Sequence, residues 1–181
     1  MIRTLLPAAA ALALLAPASA RAELAQGALA PDFTAQGALK GKPFAFNLHK
    51  ALKKGPVVLY FYPKAFTQGC TLEAHAFAEA SADFAKAGAQ VVGMSNDDLP
   101  TLQKFSTEAC RDKFAVAAAT APVIAAYDVA LKQGGASTGL TTRTSYVIDR
   151  KGRIVLVHSD MNYRDHVKLT LAAVQKLKAA R

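Results

Sequence analysis

Pro56-Val57-Val58-Leu59-Tyr60-Phe61-Tyr62 is a run without a charge, dense in β-branched and aromatic side chains, and closed by Pro63. Such a run has no polar face to turn toward water. It therefore reads as a strand covered on both sides, and proline ends it because it has no N–H for the ladder. A sheet covered on both faces needs helices in two layers, which places the chain in the α/β class. The flanking patterns agree. Residues 44–48 read as an edge strand leading into a turn of helix over 48–54. From Cys70, the 3-4 spacing of Cys70, Ala74, Phe77, Ser81 and Phe84 predicts one amphipathic helix ended by Gly88.

Residues 90–95 form a second buried strand. Asp98 is an N-cap candidate, with Pro100 in the first turn of a helix that runs to about Lys113. Leu99, Leu102, Phe105 and Ala109 lie on its inner side. A short strand over 114–117 and a helical turn over 122–127 follow. Residues 144–149 and 153–158 then make a hairpin through Arg150-Lys151-Gly152, and a helix over 165–179 closes the chain. This order predicts a thioredoxin-like α/β fold, a central mixed sheet flanked by helices.

The 181 residues suit one domain, and 52% hydrophobic residues with 19% charged ones exclude a disordered or low-complexity chain. Residues 1–22 are set apart. A basic start at Arg3, a Leu/Ala run and two Ala-x-Ala sites ending at Ala20 and Ala22 have the layout of a secretory signal peptide. The apolar run covers about a dozen residues, short of the roughly 20 that span a bilayer. Cleavage after Ala22 is expected, leaving one domain over 23–181 in the periplasm or outside the cell, where disulfides can form. The net charge of +9 admits nucleic acid or anionic membrane as partners. The lysines form no dense run with interleaved aromatics, however, so neither nucleic acid nor stable membrane association is expected. His49, His75, His158 and His166 lack metal-ligand spacing and read as surface or satisfied histidines; no metal or cofactor is called for.

The chemistry lies in Pro63-Lys64-Ala65-Phe66-Thr67-Gln68-Gly69-Cys70, which joins the buried strand to the next helix. In the first turn of a helix, unpaired N–H groups and the helix dipole favour a thiolate. Thr67, three residues back, can bring its hydroxyl near the sulfur. Pro63 would wall off one side and Phe66 would add apolar cover. Placement alone leaves a buried structural cysteine equally open.

Pro63, Thr67 and Cys70 as P-x-x-x-T-x-x-C resemble the active-site signature of the peroxiredoxins. The wider run VVLYFYPKAFTQGCTLEAHAF is similar to their bacterioferritin-comigratory, or peroxiredoxin Q, branch. The likeness extends from Ala30-Pro31-Asp32-Phe33 through VVGMSNDD to RTSYVIDRKGRI. The resemblance implies a thiol peroxidase that reduces hydrogen peroxide and organic hydroperoxides through a sulfenic acid on Cys70. It makes Thr67 the hydroxyl that orients the peroxide and Pro63 the shield. Arg143 becomes the guanidinium that stabilises thiolate and polarised peroxide, and Glu73 the acid that holds this arginine. The implied partners are the hydroperoxide and a thiol reductant, either a thioredoxin-like protein or a small thiol. No long cysteine-bearing C-terminal extension follows the last helix, which points to a monomer or small dimer.

Two positions depart from the pattern. Gln68 stands where proline is common, and His75 where many members of this branch carry a resolving cysteine. The other thiol is Cys110, and some relatives place a resolving cysteine on the corresponding helix. Helical geometry puts Cys110 at the margin of the apolar face, nearly in line with Leu99, which predicts partial exposure. Cys110 is therefore read as the resolving cysteine, with an idle half-buried thiol as the alternative. A thioredoxin-type disulfide oxidoreductase would want C-x-x-C, and a copper carrier C-x-x-x-C with a histidine; Glu73 and Ala74 occupy those places. A non-enzymatic redox sensor stays open.

Overall fold

The structure, a computed structural model, describes residues 24–180; the predicted signal peptide lies outside them. A seven-stranded mixed sheet is ordered β2 (Lys42–Asn47), β1 (Thr34–Leu39), β5 (Ala115–Ala118), β4 (Gln90–Ser95), β3 (Val57–Phe61), β8 (Thr144–Ile148) and β9 (Ile154–Ser159). Its centre is β3 (Val57–Phe61), buried at every position, parallel to β4 (Gln90–Ser95) on one side and antiparallel to β8 (Thr144–Ile148) on the other. β4 pairs in parallel with β5 (Ala115–Ala118), and β9 (Ile154–Ser159) closes the far edge. The hydrophobic core divides into one cluster on each sheet face. Alternate β3 residues serve them: Val58 and Tyr60 point to one, Val57, Leu59 and Phe61 to the other. This is the thioredoxin-like α/β architecture.

β1 (Thr34–Leu39) and β2 (Lys42–Asn47) form a hairpin at one edge, turned by Lys40 and Gly41 at φ 54° and 70°. The pattern of 34–39 did not announce a strand, because small Ala35 and Ala38 carry its buried positions. A second hairpin, β6 (Ala130–Gln133) with β7 (Ala136–Thr141), adds to the expected elements. Its turn is Gly134-Gly135, both at positive φ, which is a hairpin signal in its own right.

Two helical expectations change. The predicted helix over 70–88 starts earlier and is two helices, α2 (Gln68–Glu79) and α3 (Ser81–Lys86), separated at Ala80. Neither glycine nor proline marks this break; α3 packs on α2, β4 and the closing helix α6 (His166–Ala179). α4 (Leu99–Glu108) is capped by Asp98 as expected but ends before 113. Cys110 N–H bonds back to the Phe105 carbonyl, and Arg111 and Asp112 take positive φ so that the chain can turn into β5. Two further α-helices among the described residues are α1 (Leu48–Lys54) and α5 (Ala121–Ala126). No helix among the described residues is long and apolar enough to cross a membrane.

Candidate active site

Thr67 is the N-cap of α2, so Cys70 is the third helical residue. The amides of Gln68, Gly69 and Cys70 belong to the set that a helix start leaves without intrahelical partners. Cys70 and Glu73, three residues apart, share the inner face of α2 and are both buried. Pro63 is half-buried where β3 ends. The intervening loop is pinned from the neighbouring strand: Asp97 Oδ2 accepts from Ala65 N–H and from Ser95 Oγ, each at 2.8 Å. Phe66 is held at φ 63°, its exposed ring set edge-on to Phe105.

Arg143 immediately precedes β8. The pairing of Phe61 with Thr144 therefore brings it beside the point where β3 gives way to the loop. Only 4% of Arg143 is exposed, and each arm of its side chain has a partner. Nε donates to the Met161 carbonyl at 3.0 Å, Nη1 to Glu73 Oε2, and Nη2 to Cys70 Sγ at 3.5 Å. Gly69 makes room for this, since a Cβ there would lie 3.2 Å from Nη2. Burial works against the guanidinium charge, but Glu73 and Cys70 outweigh it and raise Arg143 above its ordinary value. Burial pushes Glu73 the other way, up to about 8, although Arg143 opposes the rise.

Residues 26–157 match the AhpC/TSA family. The chain belongs to the AhpC/TSA family. Chloroplastic peroxiredoxin Q of Suaeda salsa is 33% identical over 161 residues, covering 88% of this chain and 72% of that protein. The crystal structure of peroxidoxin BcpB from Mycobacterium tuberculosis superposes with a TM-score of 0.72 at 32% identity, covering 84% of this chain and 97% of the other. Peroxiredoxin Q of Xanthomonas campestris gives 0.69 at 25% identity, over 79% and 90%. The protein is a peroxiredoxin of the Q, or bacterioferritin-comigratory, branch, and a thiol peroxidase.

In this peroxiredoxin Cys70, Arg143 and Glu73 come together as one buried cluster. Thr67 does not donate to it: its hydroxyl is exposed and donates to the Lys64 carbonyl at 3.0 Å. Cys110 corrects an expectation. It lies past the end of α4, not within it, and is 0% exposed rather than marginal. α4 ends early, and the chain reverses over Cys110 to begin β5. Burial, reinforced by Asp112, pushes its thiol far above the ordinary range. Both cysteines are free and belong to the same apolar cluster as Tyr60 and Tyr62, whose phenols are raised by burial and by the charge of either sulfur.

Three further partners carry little or no sequence signal of their role. Asp97 sits in the segment SNDD, where only Asp98 gave a capping signal. Met161 contributes a carbonyl, which carries no sequence signature. His166 is the satisfied histidine that was expected, but it stands 3.7 Å from Glu73, a proximity created by packing α6 against α2.

Proposed function

We propose that Cys70 is the attacking sulfur. Its thiolate attacks the distal oxygen of a hydroperoxide; the S–O bond of a sulfenic acid forms as the O–O bond breaks, and the displaced hydroxide or alkoxide takes one proton and leaves as water or alcohol. The observation that carries this reading is Arg143 Nη2 at 3.5 Å from Cys70 Sγ in the first turn of α2. A fixed cation there stabilises the thiolate and the charge that builds on the peroxide oxygens. Thr67 supplies a hydroxyl at the mouth for the incoming peroxide, and Pro63 shields the sulfur from water. Hydrogen peroxide and organic hydroperoxides are the substrates, and a thioredoxin-like protein or small thiol is the reductant.

Cys110 resolves the sulfenic acid within one chain. Its burial requires the first turn of α2, or the reversal at 110–113, to open after oxidation. Two features support a labile reversal: non-glycine residues at positive φ, and a position just beyond a helix end. The mature protein works as a monomer or small dimer in the periplasm or outside the cell, after removal of residues 1–22.

Intact mass spectrometry after one equivalent of peroxide, with stopped-flow rates, tests this reading. Cys70→Ser should consume no peroxide; wild-type turnover in that variant overturns the mechanism. Non-reducing peptide mapping should find a Cys70–Cys110 link in monomeric protein. Persistent sulfenic acid with a free Cys110 thiol, and unchanged turnover in Cys110→Ser, would leave a one-cysteine enzyme. Rapid insulin-disulfide reduction without peroxide consumption would favour a disulfide oxidoreductase instead.

A further inference from the structure

Behind Arg143 lies a polar group that the peroxide chemistry does not use. Glu73 is 0% exposed; its Oε2 takes the guanidinium, but its Oε1 has no hydrogen-bond partner. Oε1 faces Nδ1 of His166, also 0% exposed, at 3.7 Å. The imidazole tautomer follows from its other bond. Nε2 lies 2.9 Å from the Asp160 carbonyl, which can only accept, so Nε2 carries the hydrogen and neutral His166 presents a lone pair at Nδ1. Ser145 Oγ, 2.8 Å from Nδ1, donates to it. An unpartnered carboxylate oxygen thus faces the Nδ1 lone pair across 3.7 Å, an arrangement that one added proton, with the Ser145 hydroxyl turned away, changes from repulsive to bonded.

The surroundings say when that proton is held. Cys70 lies on the same helix as Glu73, Arg143 comes from the start of β8, and Tyr60 on β3 lies close enough for the Glu73 charge to raise its phenol. His166 is faced by Ser145 on β8, by Arg143, by Asp160, and by the His158 ring on β9 with centroids 4.5 Å apart. With Cys70 as thiolate and Glu73 ionised, two buried negative charges share one buried positive charge. A proton on Glu73 makes the cluster neutral. Once the sulfur becomes a neutral sulfenic acid, Arg143 and ionised Glu73 balance alone and the proton is in excess.

We propose that Glu73 and His166 form a proton-holding pair, loaded while Cys70 is a thiolate and emptied as Cys70 is oxidised. His166 acts as a positioning residue: the Ser145 hydroxyl rotates away and Nδ1 accepts the hydrogen of the Glu73 carboxyl. Burial pushes Glu73 up to about 8 and His166 down to about 4, which puts the shared proton on the carboxyl. The step balances. Thiolate, hydroperoxide and the proton of the pair become sulfenic acid and alcohol, with no proton drawn on balance from the medium.

This inference rests on Cys70 as the attacking sulfur, and its test keeps the two apart. In the Cys110→Ser background, one equivalent of hydrogen peroxide is added in weak buffer, at a pH where the ultraviolet thiolate absorbance has reached its plateau. An indicator dye counts protons, and intact mass counts sulfenic acid. The parent should take up well under one proton per sulfenic acid formed. Glu73→Gln, which cannot release a proton, should take up close to one. His166→Gln keeps the bonds to Ser145 and Asp160 but gives Oε1 a poorer proton acceptor, and it should also move toward one; it serves if Glu73→Gln does not fold. Equal uptake in parent and variants overturns the inference while leaving Cys70 in place. Peroxide consumption by Cys70→Ser overturns both.

Discussion

Replacing Arg143 with glutamine removes a full charge from beside the Cys70 sulfur while leaving an amide to fill the space. At the observed 3.5 Å, two opposite charges are worth about 5 kcal/mol at an effective dielectric of about 20. Glu73 touches another arm of the same guanidinium, and the dipole of its protonated carboxyl offsets part of that attraction. If half of the attraction survives the offset, the variant loses about 2–3 kcal/mol of transition-state stabilisation, a slowing of roughly 30- to 150-fold. The substitution also removes the charged partner of the buried Glu73 carboxyl. Because burial already pushes Glu73 up to about 8, that group holds its proton near neutrality, which limits the loss of stability. Stopped-flow oxidation by hydrogen peroxide measures the rate, and urea unfolding measures stability. The double variant Arg143→Gln/Glu73→Gln separates the two roles: stability should recover relative to the single variant, and the rate should not. A wild-type rate in either variant would refute the view that the guanidinium charge drives the chemical step.

Three further outcomes are expected. Glu73, raised from 4.5 to about 8, contributes stability that is complete at low pH and lost as pH rises toward 8; His166, lowered from 6.5 to about 4, contributes stability that is complete above 6.5 and lost as pH falls toward 4. Together they give a plateau between about 4.5 and 6.5 with a decline above it, and Glu73→Gln should remove that upper decline in thermal melts across pH. Gly93→Ala should destabilise by about 1–3 kcal/mol in urea unfolding, because its Cβ would lie 2.8 Å from Tyr60 Cζ, inside the cluster that holds Cys70. Thr67→Val should slow stopped-flow peroxide oxidation at least tenfold while shifting stability by under about 1 kcal/mol, since the hydroxyl is exposed, makes no cap bond and donates only to Lys64 O.

Much of the fold was legible locally. The run through Tyr62 and the segment ending in Ser95 are buried strands because they have no polar side to show, and Asp98 caps α4 through the amide of Thr101 as its chemistry dictates. The strand β1 was not legible, because its buried alanines carry little pattern and its place depends on pairing with β2 and β5. The break at Ala80 and the reversal after Cys110 were equally hidden, since helical periodicity continues through both in the sequence.

The sequence by itself determined the α/β class, the strand-to-helix junction that lifts Cys70 into a first helical turn, and the pairing of Cys70 with Glu73 on one helix face. These depend on neighbours within a few residues, where backbone geometry fixes direction. Only the tertiary structure decided what surrounds them. Arg143 reaches the sulfur because β8 pairs with β3, its guanidinium is fixed by a carbonyl at Met161, and Glu73 meets His166 because α6 packs across α2. It also decided that Cys110 is sealed in the core rather than exposed at a helix margin. Burial and partner choice come from residues tens of positions away, whose effect on charge has no local signature. The residue types of the site could be read along the chain, but their protonation and access are properties of the packed interior.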